Sequence, residues 1–239
     1  PREPEHAGRA LASIGLRYVV LTMVDRDDLL DGGAAHVGDT IRSLRRHQPE
    51  LLVEALVGDF GGRTRDIDVV LAATPDVFAH NIEVVRRLTP SIRDQRCDYD
   101  RSLEVLRHAK ERAPERFVKS SVMVGIGEGD DEVERTLTDL RAVGVDVVTL
   151  GQYLRPTPKH APVHRYVEPR RFEAWAELGR ELGFAHVASG PLVRSSYHAA
   201  EAFISALVRP SAPAPQASSG AAPAGFVPAG RLRRRTADG

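Results

Sequence analysis

The stretch Phe117–Glu132, FVKSSVMVGIGEGDDE, contains a strand, a turn and the start of a helix, and it decides the fold class. Val118–Val124 is a run of strand length in which four of the seven residues are apolar, and the glycines that follow it mark a turn. Asp130 or Asp131 can cap the next helix. The apolar positions of that helix are Val133, Leu137, Leu140 and Val143. A strand that runs into a helix in this way is typical of an α/β protein with a parallel sheet.

The same unit recurs along the chain. The other apolar runs of strand length are Leu16–Thr22, Leu51–Val57, a short run within Asp76–Glu83, and Val145–Leu150. Amphipathic segments separate them, including Arg101–Arg112 and a segment that begins at Pro169, where proline is favoured at the first helical position. We therefore predict about five parallel strands, fewer than the eight of a complete α/β barrel. A partial parallel (β/α) barrel and an open sheet both fit this count.

Composition narrows the class of protein. The 239 residues carry 33 basic and 33 acidic side chains, so no net charge favours nucleic acid or an anionic membrane as a partner. No apolar run reaches the roughly 20 residues of a membrane span, and no signal segment is visible, so a cytoplasmic location is expected. Residues 209–239 are rich in proline and alanine and are expected to form a disordered tail after a domain spanning 1–208.

Cysteine usage is the sharpest constraint on cofactors. Cys97 is the single cysteine, so this chain alone supplies neither a disulfide nor the several thiolates of an iron–sulfur site. His160 and His164 have metal-ligand spacing for a helix, but the prolines around them disfavour a helix and hence the metal site. The chain starts at Pro1, through loss of an initiator methionine or because the sequence begins within a longer protein.

Polar residues cluster after the predicted strands, where α/β proteins bind ligands. Asp25, Arg26 and Asp27 follow the first run, and they can form a solvated loop or hold an ammonium, a ribose or a carboxylate. Asn81 and Glu83, two apart in extended chain, point to the same side. Other candidates directly after strands are Gly125, Gly127, Glu128, Gln152 and Tyr153. A Gly-x-Gly turn is weak evidence for phosphate binding.

Near the end of the chain, Ser195 and Ser196 lie in GPLVRSSYHA, where a serine can act as a helix N-cap. Read in order, this motif and the stretches RYVVLTMVDRDDLLDGGA, ATPDVFAHNIEVV, KSSVMVGIGEGDDEV, VTLGQYLRPT and RYVEP resemble the lipoyl synthase family of radical S-adenosylmethionine enzymes. The resemblance runs from about Leu16 to Phe203. It implies a radical SAM barrel followed by the C-terminal extension of that family.

The resemblance implies a reaction, with its cofactors and partners. Such enzymes insert sulfur at C6 and C8 of an octanoyl chain on a lysine of carrier domains, namely E2 subunits or the glycine cleavage H protein. They use S-adenosylmethionine, an electron donor such as ferredoxin or flavodoxin, and two [4Fe–4S] clusters. A CxxxCxxC triplet holds one cluster, and three cysteines and a serine hold the other. That serine corresponds to Ser196, and Arg194 is expected to orient the cluster region.

The resemblance also places the strand-end residues against S-adenosylmethionine. Asp25, Arg26 and Asp27 are expected near its methionine part, and Asn81 and Glu83 near its ribose or amino-acid part. The residues expected near its adenine are Gly125–Glu128, Gln152 and Tyr153.

The chain departs from the family at its start. Both cysteine triplets precede the strand that corresponds to Leu16–Thr22, and so does the first barrel strand. The resemblance therefore implies the C-terminal portion of a longer protein, which alone has an unpaired sheet edge, low stability and no activity. Arg155 also stands where the family usually has glutamine. Two other hypotheses remain: a cluster-free module that binds octanoylated carriers, and an unrelated partial α/β barrel that binds a phosphorylated metabolite.

Overall fold

The computed structural model describes residues 2–194. Its strands are β1 (Tyr18–Thr22), β2 (Leu52–Leu56), β3 (Val77–Ala79), β4 (Phe117–Val124), β5 (Val147–Gln152) and β6 (His186–Gly190). Its helices are α1 (Glu3–Ile14), α2 (Ala34–His47), α3 (Thr64–Ala72), α4 (Thr89–Ile92), α5 (Tyr99–Arg112), α6 (Asp130–Ala142) and α7 (Pro169–Glu181). Short 3₁₀ turns cover Phe60–Gly62 and Arg86–Leu88.

All six strands are parallel and lie in the order β1-β2-β3-β4-β5-β6, the same order as in the chain. Helices connect successive strands, as parallel pairing requires. Within residues 2–194, β1 and β6 are the two edges of the sheet and do not pair with each other. The prediction of a partial parallel (β/α) barrel is confirmed, with β1 as an edge strand.

Some elements differ from their predictions. The sequence HVASG of β6 was not predicted, because its small and polar residues form no apolar run and all five are only half-buried. Helix α6 is capped by Gly129 rather than by Asp130 or Asp131, which lie in its first turn. There the Gly129 N–H donates to the Glu132 carboxylate at 2.8 Å. The predicted boundary at 208 and the tail at 209–239 lie outside the described residues.

Strand residues alternate between the helix layer and the interior of the partial barrel. Val53, Ala55 and Phe78 belong to the main core, which they share with the helices. Val77 and Val147 form a second apolar cluster, against which Tyr18 and Phe117 pack. No helix within the described range is both long and apolar enough to cross a membrane.

A buried ion pair crosses the barrel interior between β2 and β4. The Lys119 ammonium donates to both Glu54 carboxylate oxygens, at 2.6 and 2.9 Å, and the Tyr18 hydroxyl donates to one of them at 2.5 Å. The side chains of Lys119 and Glu54 are 3% and 1% exposed. One charged network inside the barrel therefore joins β1, β2 and β4, and it spans β3, which lies between β2 and β4.

Helix α1 is held on α2 by close approach and by one carboxylate. A Cβ at Gly8 would lie 2.4 Å from Ser43 Oγ, so the helices touch backbone to side chain at this point. The Glu5 carboxylate accepts hydrogen bonds from His47 at 2.8 Å and from Arg46 at 3.2 Å. These bonds, with one from Arg9, hold the pKa of Glu5 at about 2, below its ordinary 4.5.

We expect the docking of α1 to weaken in acid. A carboxylate whose pKa is lower in the folded than in the unfolded state stabilises the fold above pH 4.5 and loses that contribution as the pH falls toward 2. The difference in denaturation midpoint between the wild type and Glu5→Gln should therefore be largest above pH 5 and vanish near pH 2. A constant difference across this range would show that Glu5 acts only through packing.

Candidate functional site

A cleft of about 250 Å³ opens at the carboxyl end of the sheet. It lies among the loops that follow β1 and β2, the end of β3, and the segment 93–101. Its charged lining residues are Asp25, Arg26, Asp27, Asp59, Arg63, Arg93, Asp94, Arg96 and Arg101. Parallel strands bring their carboxyl ends to one edge, which is why residues distant in the chain meet here.

Asp25, Arg26 and Asp27 all line the cleft, as the sequence predicted for a shared site. Arg26 forms a fork with Asp28, with both distances at 2.7 Å, and Asp27 pairs with Arg96. Asp25 forms no ion pair within the described part of the chain. Its carboxylate is the one of this group that is left for a ligand.

Asp59 and Arg93 also line the cleft, and the sequence did not identify either of them. One Asp59 oxygen accepts from the Gly61 N–H at 2.8 Å. The other is buried with no hydrogen-bond partner, 3.5 Å from the nearest Arg101 nitrogen. Arg93 donates to Ser102 Oγ at 2.9 Å. The sequence showed Asp59 only as part of a turn, and Arg93 lies far from any strand end in the sequence.

Asn81 and Glu83 lie together beyond the end of β3. The Asn81 amide donates to the Glu83 carboxylate at 3.1 Å, and the remaining Asn81 oxygen is buried without a partner. Glu83 has a φ of 67°, in the left-handed region that is unusual for a residue with a side chain. Backbone pairing with β4 holds it there, because its N–H donates to Ser121 at 3.0 Å and its carbonyl accepts from Met123 at 2.7 Å.

Burial raises the pKa of Glu83 above its ordinary value, and the bond from Asn81 and the charge of Arg93 only partly oppose this. The pair therefore presents a carboxyl group that can hold a proton and an amide oxygen without a partner. Both features suit hydrogen bonding to hydroxyl groups of a ligand.

The Gly125–Glu128 turn already holds an anion, supplied by the chain itself. The Glu128 carboxylate accepts from the N–H groups of Gly125 at 2.7 Å, Ile126 at 2.9 Å and Gly127 at 3.1 Å. Its side chain is 1% exposed. A phosphate would need these same N–H donors, which Glu128 already occupies. The structure therefore does not support a site for a phosphorylated metabolite at this turn.

Gln152 and Tyr153 hold the connection between β5 and α7. The Gln152 amide donates to the Arg165 carbonyl at 3.1 Å and accepts from the Val167 N–H at 2.9 Å. The Tyr153 hydroxyl donates to the Ala161 carbonyl at 3.0 Å. Neither residue lines the cleft, so their predicted place near adenine remains a prediction.

The structure describes one of the two residues predicted to hold or orient an iron–sulfur cluster. Arg194 ends the described range and donates to the carbonyls of Pro191 at 3.3 Å and Val193 at 2.7 Å. Ser196 lies outside that range. Cys97 lines the cleft, and burial raises the pKa of its thiol. No three histidine, cysteine or carboxylate side chains in 2–194 are grouped to hold a metal.

The chain resembles known proteins along most of its length. Residues 1–140 match the model of the radical SAM superfamily. The chain is 57% identical to lipoyl synthase from Sorangium cellulosum, over 92% of this chain and 63% of that protein. It is 54% identical to lipoyl synthase from Thermus thermophilus, over 87% and 65%. It is 47% identical to the chloroplastic lipoyl synthase of Arabidopsis thaliana, over 88% and 54%. The chain thus spans between about half and two thirds of these relatives.

Two solved structures share the fold. Methylornithine synthase superposes with a TM-score of 0.58 at 15% identity, covering 83% of this chain and 65% of that one. HydG, a maturase of the [FeFe]-hydrogenase, superposes with a TM-score of 0.56 at 14% identity, covering 84% and 51%. At these identities the likeness concerns the fold alone.

Proposed function

Because the chain belongs to the radical SAM superfamily, we propose that it forms part of a lipoyl synthase. One observation carries the proposal: more than half of the aligned residues are identical to those of a lipoyl synthase across nearly the whole chain. Neither alternative hypothesis gains support from the comparisons. The reaction proposed for the whole protein is sulfur insertion at C6 and C8 of an octanoyl group on a carrier lysine.

The residues of the cleft fit S-adenosylmethionine. Asp25 and Asp59 line the cleft and present carboxylate oxygens to an ammonium group. Asn81 and Glu83 do not line it; they lie beyond the end of β3 and can bond ribose hydroxyls. When bound, this cofactor supplies the 5′-deoxyadenosyl group from which the family makes its radical. The part proposed for this chain is to bind and orient the cofactor at the open end of the sheet.

The two [4Fe–4S] clusters do not fit the residues of this chain. Each needs several thiolates, and Cys97 is the single cysteine. The serine ligand proposed at Ser196 and the orienting role of Arg194 cannot replace them.

The partners proposed are octanoylated carrier domains, namely E2 subunits and the glycine cleavage H protein, and an electron donor such as ferredoxin or flavodoxin. A cytoplasmic location is also proposed. Relatives named mitochondrial and chloroplastic indicate that the compartment differs between members.

A chimera tests the proposal. Residues 2–208 replace the matching segment of the Thermus thermophilus relative, which retains the rest of its own chain. With S-adenosylmethionine, a reductant and an octanoylated carrier domain, mass spectrometry should detect the lipoylated carrier. The 239-residue chain alone should leave the carrier unchanged. A chimera that folds and carries its clusters, seen by absorption, yet leaves the octanoyl group unmodified would overturn the proposal.

A further inference from the structure

The connection between β5 and α7 carries an exposed surface that takes no part in the cleft. We propose that residues 154–166 of this connection, the rim loop, form a docking surface for the acidic face of the octanoylated carrier domain. The proposal rests on the proposed function, because only that function makes an octanoylated carrier the substrate.

The rim loop is basic, and no aspartate or glutamate occurs in it. Arg155 and Lys159 are exposed and form no ion pair within residues 2–194. Arg165, in contrast, is balanced by Asp130 at 2.6 Å. The whole chain has equal numbers of acidic and basic side chains, so this excess of positive charge is local. A surface with uncompensated positive charge favours a partner whose facing surface is negative.

Two large apolar side chains are exposed on the rim loop. Leu154 is 52% exposed, and Tyr166 is 74% exposed. The Gln152 side chain bonds the backbone of Arg165 and Val167, so the two ends of the loop are held close together. An exposed tyrosine beside unpaired positive charge is typical of a protein interface, where tyrosine and arginine are enriched and contribute much of the binding energy.

Hydrogen bonds fix the rim loop, although it has no regular secondary structure. Arg155 donates to the carbonyl of Pro158 and, at 2.9 Å, to that of His160. The His164 N–H donates to the Gly125 carbonyl at 2.8 Å, which ties the loop to the carboxyl end of β4. Long irregular connections are uncommon in compact domains and usually serve a function. A loop that is already ordered loses little entropy when a partner binds.

The position of the rim loop explains why the carrier is its partner. The strands are parallel, so the loop after β5 and the cleft beyond β1–β3 lie at the same, carboxyl end of the sheet. The octanoyl group is attached to a lysine side chain of the carrier, and it can reach the cleft only from a carrier bound at this end. An electron donor inserts no group into the cleft and is under no such constraint.

Binding of labelled, octanoylated glycine cleavage H protein tests the proposal, by fluorescence anisotropy on the full chain and on the chimera. Lys159→Glu should weaken binding about 3–30-fold at low salt and by less at about 0.5 M salt, because salt screens exposed charges. Tyr166→Ala should weaken it about 5–30-fold at both salt concentrations. Arg17→Glu reverses an exposed charge at the opposite end of the sheet and should leave the affinity unchanged.

A cross-link locates the contact. Lys159 is exposed, whereas the other lysines, Lys110 and Lys119, are half-buried and buried. A carbodiimide should therefore join the Lys159 amine to a carboxylate of the carrier as an amide, taking up the water that is lost, and mass spectrometry identifies the joined peptides. Lys159→Arg keeps the charge but has no amine, so it should retain the affinity and lose the cross-link.

Turnover by the chimera separates this proposal from the proposed function. In Lys159→Glu and Tyr166→Ala the KM for the octanoylated carrier should rise while kcat stays the same. Lipoylation with an unchanged KM in both variants overturns the docking surface and leaves the proposed function standing. Weaker binding of flavodoxin with unchanged binding of the carrier assigns the rim loop to the electron donor and also overturns the proposal. A folded, cluster-loaded chimera that neither binds nor lipoylates the carrier overturns both.

Discussion

Lys119→Met is expected to lower the free energy of unfolding by about 3–5 kcal/mol, the usual cost of removing one partner of a buried ion pair. The variant leaves the Glu54 carboxylate, 1% exposed, with the Tyr18 hydroxyl but no cation. Urea titration followed by circular dichroism measures the change. Lys159→Met, at an exposed position outside the sheet, is the control and should stay within about 0.5 kcal/mol.

One further measurement identifies the cause. The double variant Glu54→Leu, Lys119→Met should recover much of the stability, since an apolar pair often replaces a buried ion pair at little cost. A loss below about 1 kcal/mol in the single variant would contradict the buried pair.

Gly125→Ala is the second substitution with a large expected effect. It should lower the free energy of unfolding by about 2–5 kcal/mol, through backbone strain and overpacking together. The new Cβ would lie 2.3 Å from the Gln152 amide nitrogen and 2.5 Å from the Arg165 carbonyl oxygen, at a φ of +97°. The backbone oxygen cannot move without displacing the connection between β5 and α7. Amide hydrogen exchange should therefore show that segment opening in the variant.

Gly15→Ala is the matched control, because Gly15 has a φ of +71° but no atom within 4 Å of its would-be Cβ. It isolates the cost of the left-handed conformation, about 1 kcal/mol. Equal losses in the two variants would mean that the contacts with Gln152 and Arg165 contribute nothing.

The strand–helix alternation was predictable because β2, β3, β4 and β5 are largely buried and rich in valine and other apolar residues, even though β2 and β4 include Glu54 and Lys119. β6 was not, since its packing comes from the neighbouring β5 and α7 rather than from its own hydrophobicity. The role of Glu128 could not be predicted from the sequence either. A glutamate in a glycine-rich turn after a strand suggests a ligand contact, but in the structure its carboxylate accepts hydrogen bonds from three backbone N–H groups of the same turn.

The residues of the cleft were also only partly predictable from the sequence. Asp25, Arg26 and Asp27 were predictable because they directly follow a strand, where ligands bind in parallel sheets. Arg93 and Asp59 were not, because what distinguishes them is that Arg93 bonds a neutral hydroxyl and that one Asp59 oxygen is buried with no hydrogen-bond partner. These properties depend on which neighbours the fold brings near, and both residues line the cleft although they are distant in the chain.

The sequential strand order has a consequence for synthesis on the ribosome. Within residues 2–194, each strand hydrogen-bonds only to the strands before and after it in the chain, so no pairing among them waits for a distant segment. Each strand–helix unit can dock on the growing sheet soon after it emerges, which keeps loop-closure costs small. The nascent sheet then presents one advancing edge, and each newly made strand covers it.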